Sequence, residues 1–167
     1  MSGWLSGRVA LLVGTHPAIK HALVEQGAHL GDEDADILVH VAPAPPTRAA
    51  HEMTHAEWRD TLDVGLDERF RVAKDFAGQC RARRRGGAVL FVGAPERGGS
   101  SDHAAAAGAL GNLVKTLGVE WARDGIRVNA VLTADAGATL GNLAAYLVSD
   151  YAAYVTGAVM GVRAGEG

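Results

Sequence analysis

Short, nearly continuous apolar runs alternate along this chain with longer stretches whose apolar residues recur at helical spacing. The runs Arg8–Val13, Ile37–Ala42, Ala88–Val92, Ile126–Leu132 and Ala158–Val162 lack the polar alternation of a half-exposed strand. They predict strands buried on both faces of a parallel sheet. Helices are predicted between them, over about Pro17–Gln26, His55–Arg84, Asp102–Asp124 and Leu140–Asp150. Strand, helix and strand in repetition imply right-handed crossovers and an α/β layered fold.

Several boundaries have a local physical reason. Thr54 precedes Glu57 by three positions, the arrangement in which a hydroxyl caps a backbone N–H and the carboxylate reaches back. Pro17 suits a first helical turn, where its missing N–H would have had no partner. Gly125 follows Arg123 and Asp124 where a left-handed residue can stop a helix. The proline-rich segment Pro43–Ala50 reads as a loop.

Composition narrows the function classes. A chain of 167 residues, 48% hydrophobic, buries one sizeable core and predicts a single domain over residues 1–167. A net charge of −3 with both signs interspersed offers no field for nucleic acid or an anionic membrane. The run Arg81-Ala82-Arg83-Arg84-Arg85 falls at the carbonyl end of a predicted helix, where cations are favoured. The single cysteine, Cys80, cannot close an internal disulfide, and the amino-terminal apolar run is too short for a membrane span. A cytoplasmic location is the expectation.

The ordered motifs resemble the short-chain dehydrogenase/reductase family over nearly the whole chain. Gly7–Gly14 is similar to its first strand and glycine turn, and Ala35–Val39 to the strand before its Asn-Asn-Ala-Gly motif. Trp58–Val64 resembles the start of its first interface helix, and Gly86–Val92 the strand carrying its catalytic serine. Val119–Val131 resembles the end of its active-site helix with the next strand, and Ser149–Gly157 its carboxy-terminal signature. The resemblance implies a Rossmann-like parallel sheet with helices on both faces. The short span between Gly27 and Asp36 implies about five strands, with the family's second and third missing and Arg8–Val13 left at an edge.

The family's proton relay of Asn, Ser, Tyr and Lys corresponds here to Gly65, Gly93 or Ala94, His103 and Ala107. Its glycine-rich turn becomes Val13-Gly14-Thr15-His16-Pro17-Ala18-Ile19-Lys20, in which Gly14 is the remnant and Lys20 should crowd the helix–strand contact. Its Asn-Asn-Ala-Gly motif reads His40-Val41-Ala42-Pro43, and Thr133–Thr139 replaces its substrate lid. No cofactor is expected on this reading, residual NAD(P) binding included. The family assembles through its two long helices, which implies interface positions at Leu62, Leu66, Phe70, Leu110, Leu113, Leu117 and Trp121. The resulting expectation is a non-catalytic subunit that pairs with a full-length active family member, or with itself. The alternative is a cofactor-free cyclase, dehydratase or isomerase with His103 as acid or base and His40 assisting. A residual reductase is a third reading.

Other histidines are candidates for chemistry. His51-Glu52-Met53-Thr54-His55 matches the HExxH zinc pattern, but a cap at Thr54 would leave His51 outside the helix, so no metal is expected. Asp102 beside His103 reads as a helix cap rather than half of a dyad. His16, His40 and His103 would border the old cofactor cleft, and Trp58 and Trp121 read as core or interface anchors.

Overall fold

The computed structural model describes residues 3–95, 99–134 and 137–162. Its strands are β1 (Val9–Val13), β2 (His29–Leu30), β3 (Ile37–Val41), β4 (Gly87–Gly93), β5 (Ile126–Leu132) and β6 (Val159–Met160). All pair in parallel, in the order β2-β1-β3-β4-β5-β6. The sheet therefore has six strands rather than about five, and the edge of β1 is partly covered. Only Val9 and Ala10 pair with β2. A two-residue strand carries no periodic signal, which is why the sequence hides it.

The chain returns from β2 to β3 through residues 31–36 alone, at the level of Ala10, which pairs with Leu30 on one side and Ile37 on the other. Asp36 anchors this return. Its carboxylate accepts from the Val9 amide at 3.0 Å and pairs with Arg8 at 2.6 Å.

The helices are α1 (Pro17–Glu25), α2 (His55–Leu62), α3 (Glu68–Ala82), α4 (Ser101–Glu120) and α5 (Ala138–Val148). Pro17 opens α1, Thr54 and Glu57 form the predicted capping box on α2, and Gly125 takes a left-handed φ of 70°. The long helix predicted over His55–Arg84 is not continuous: a π turn at Asp63–Asp67 joins α2 to α3. The basic run after it is taken up largely by ion pairs, Arg81 with Asp124, Arg83 with Asp34 and Arg85 with Asp36.

Alternating strand residues feed two cores. Ile37, Val39 and Leu90 pack under α1 and α5 with Ile19, Leu23, Leu140 and Leu147. Leu38, Val89 and Phe91 pack under α3 and α4 with Phe76, Val114 and Leu117. This second core overturns part of the interface expectation, because Leu110, Leu117 and Trp121 are 1%, 4% and 4% exposed within the subunit itself. Leu66 and Leu113 pack partly against the same core and Leu62 is half-buried, leaving Phe70, 43% exposed, as the outward-facing member of the set. Among the described residues no helix is long and apolar enough to cross a membrane.

Candidate functional site

The carboxyl ends of β3, β4 and β5 open onto a cavity of about 240 Å³. Ala42, Pro43, Pro45, Val64, Ala106 and Leu110 make its walls largely apolar. All the positions matched to the family relay meet there: Gly65, Gly93, Ala94, His103 and Ala107 line it. The π turn carries Gly65, and such bulges recur at functional sites because they redirect a helix face. A Cβ on Gly65 would stand 3.1 Å from the Ala106 side chain, so α2 and α4 approach closely there.

His103 is the one relay position with an ionisable side chain. Its Nε2 lies 2.8 Å from the Pro95 carbonyl oxygen. A carbonyl only accepts, so Nε2 carries the hydrogen and, in the neutral ring, Nδ1 is the free acceptor. The neighbouring Asp102 is not its partner. Ser100, not Asp102, occupies the cap position of α4, and the buried Asp102 carboxylate accepts from the Thr61 hydroxyl at 2.6 Å and from the Ser100 hydroxyl. Burial opposes its ionisation, yet these hydrogen bonds and the backbone at His103 hold the carboxyl below the usual value.

The other histidines do not join His103. The His16 ring caps α1, accepting from the Ile19 amide at 3.4 Å. His40 is 2% exposed, faces Phe91 edge-on at 6.5 Å, and neither ring nitrogen has a hydrogen-bond partner. Burial first, and then the Arg69 charge, push its pKa down. His51 lies in a short turn before the Thr54 cap and His55 in the helix after it, so the HExxH residues do not share a helix.

Arg69 was missed in the sequence reading. It sits one turn beyond Gly65, lines the cavity, and is 3% exposed. Its Nη2 donates to the Val92 carbonyl at 2.8 Å, its guanidinium stands 5.9 Å from the Phe91 ring centroid, and its Nε is buried without a partner. Burial lowers its pKa to about 10, which leaves it cationic at neutral pH. The available signal was a charge inside the apolar stripe Leu62, Leu66, Ala73 and Ala77.

A second groove runs along β1 beside β2, lined by Leu12, Gly14, Thr15, Lys20, Leu30, Gly31 and Asp32. Gly14 has φ +84°, and a Cβ there would stand 2.2 Å from the Val41 carbonyl oxygen. Lys20 is exposed and lines the groove, while Ile19 fills the core beneath α1. The anticipated crowding of the helix–strand contact by Lys20 is therefore absent.

A family model described as enoyl-(acyl carrier protein) reductase matches residues 13–140. The chain belongs to the short-chain dehydrogenase/reductase family. It is 29% identical over 191 residues to the 3-oxoacyl-(acyl-carrier-protein) reductase of Escherichia coli, covering 96% of this chain and 78% of that one. It is 31% identical over 161 residues to a cis-4-hydroxycyclohexanecarboxylate dehydrogenase of Sinomonas cyclohexanicum, covering 78% of this chain and 65% of the relative. Its fold matches that of an Agrobacterium tumefaciens protein assigned as a 2-deoxy-D-gluconate 3-dehydrogenase, solved with bound NADP, at a TM-score of 0.86, 24% identity and 95% coverage of each chain. A short-chain type dehydrogenase/reductase from Mycobacterium marinum matches at a TM-score of 0.85 and 20% identity, over 95% of this chain and 94% of that one. The expectation that no cofactor goes with this chain is overturned here. A protein of the same fold carries NADP, and β2, Gly31 and Asp32 wall one side of the groove at Gly14.

Proposed function

We propose that this chain is a dinucleotide-binding subunit of an oxidoreductase assembly that does not itself run the family's proton relay. One observation carries this reading: the relay positions converge on one cavity, where Gly65, Ala94 and Ala107 offer no titratable or hydroxyl group. His103 alone remains, with one ring nitrogen engaged by Pro95. A carbonyl reduction needs a proton donor at the developing alkoxide and groups that tune it.

The residues of the Gly14 groove fit a dinucleotide. The glycine turn would let the backbone approach the pyrophosphate with Lys20 adding a cation, while at the start of α1 Pro17 has no N–H and His16 takes the Ile19 amide; Asp32, 18 residues beyond Gly14, would face the ribose hydroxyls. Such a group would supply a hydride when bound; this chain's residues would bind and orient it without delivering the proton.

Assembly with an active family member, or with a second copy, is supported by the outward Phe70 and by Val119, 80% exposed, on the two helices that flank one groove. The test combines native mass spectrometry, after co-expression with an active family member, with NAD(P)H oxidation by the isolated chain across carbonyl substrates. The expected result is a mixed or self-associated oligomer and no turnover alone. A monomer at every concentration, or turnover abolished by His103→Ala, overturns the reading.

A further inference from the structure

We propose that the strand-end cavity is a binding site for a small carboxylic acid, with the Arg69 guanidinium as its charged anchor. This does not rest on the assembly role above. Among the described residues no carboxylate forms an ion pair with Arg69, and the neighbouring Glu68 acts on it only through its charge. Its Nε is buried and unpartnered, and its visible interactions are one carbonyl and one aromatic face.

A buried, unpaired guanidinium is costly, because burial strips its hydration and leaves donors unused. The surrounding chain nevertheless makes room for it. A Cβ on Gly93 would stand 2.7 Å from Nη2, so the glycine at the end of β4 leaves the space that the guanidinium occupies. The planar fork of an arginine matches a carboxylate through paired N–H donors, and the low-dielectric wall strengthens that contact. Pro43, Pro45, Val64, Ala106 and Leu110 fit a compact apolar body on the acid.

Among the described residues rival charges do not satisfy Arg69 from within. Asp60 lines the cavity but is solvent-exposed, and Arg48 pairs with Glu57 at 3.2 Å. His40 faces Phe91 and does not line the cavity.

The experiment is calorimetric titration of the full chain with benzoate, with benzamide as its neutral match, and with inorganic phosphate. Benzoate is expected to bind at least tenfold more tightly than either. Arg69→Gln should bring the benzoate-to-benzamide ratio close to one. Val64→Trp, at the cavity wall, should weaken benzoate binding while leaving Arg69 in place, which keeps the test decisive if Arg69→Gln fails to fold. Equal affinity for benzoate and benzamide, binding of neither, phosphate matching benzoate, or benzoate binding unmoved by Val64→Trp would each overturn the assignment.

Discussion

The Thr61 hydroxyl donates to the Asp102 carboxylate at 2.6 Å across 41 residues of sequence, joining α2 to the first turn of α4 inside the protein. Both side chains are buried, and the bond stands directly behind the cavity, whose lining includes Thr61 and His103. It fixes the α4 start on which His103 rides. Asp102→Ala leaves two buried hydroxyls without their acceptor and is expected to destabilise by about 2–4 kcal/mol, with Thr61→Val costing about 1 kcal/mol. Urea denaturation of the two variants and their double mutant measures this, and coupling near zero would show that the bond contributes nothing. Because the folded carboxyl lies below its ordinary value of 3.8, its contribution is present above that value and is lost as pH falls through the folded one.

His40 pulls the other way. A buried ring with neither nitrogen hydrogen-bonded is a standing cost, so His40→Phe, which suits the contact with Phe91, should stabilise by about 1 kcal/mol. Since the folded pKa lies below the ordinary 6.5, the unfolded chain takes up the proton first on acidification. Stability is then full above about 6.5 and falls as pH drops below it. Thermal melts between pH 8 and pH 5, on the order of the range this linkage covers, should show that slope in the parent chain and a smaller one in the variant.

Gly14→Ala should be severe for its size. The position has φ +84° and the added methyl would meet the Val41 carbonyl oxygen at 2.2 Å, combining left-handed strain with a backbone clash. A loss of roughly 2–4 kcal/mol is expected, measured by chemical denaturation. Fluorescence titration with NADPH should show weaker binding to any folded variant than to the parent. Unchanged affinity would remove Gly14 from the dinucleotide site.

Phe70→Asp tests the outward face of α3. The side chain is 43% exposed, so the subunit fold should shift by no more than about 0.5 kcal/mol, while association drops. Light scattering across a dilution series reads the second effect, and an unchanged oligomer would exclude this face from the interface.

The layered architecture was legible from the residues alone. Short continuous apolar runs bounded by turn residues fit strands covered on both faces, and local chemistry at Pro17, Thr54, Glu57 and Gly125 placed helix ends without help from distant residues. The relay equivalents were also legible, because motif order brings Gly65, Ala94, His103 and Ala107 to one place in this topology. The rest depends on how distant segments pack. Whether Leu110, Leu117 and Trp121 serve a partner or the subunit's own core depends on which way α4 is rolled against the sheet, and periodicity cannot say so when apolar and small residues occupy more than one face. β2 exists only through backbone pairing with Val9 and Ala10. Arg69 becomes an unpaired charge in a cavity only when α3 is docked over Phe91 and Gly93, because burial and partner loss are properties of contacts between segments far apart in the chain.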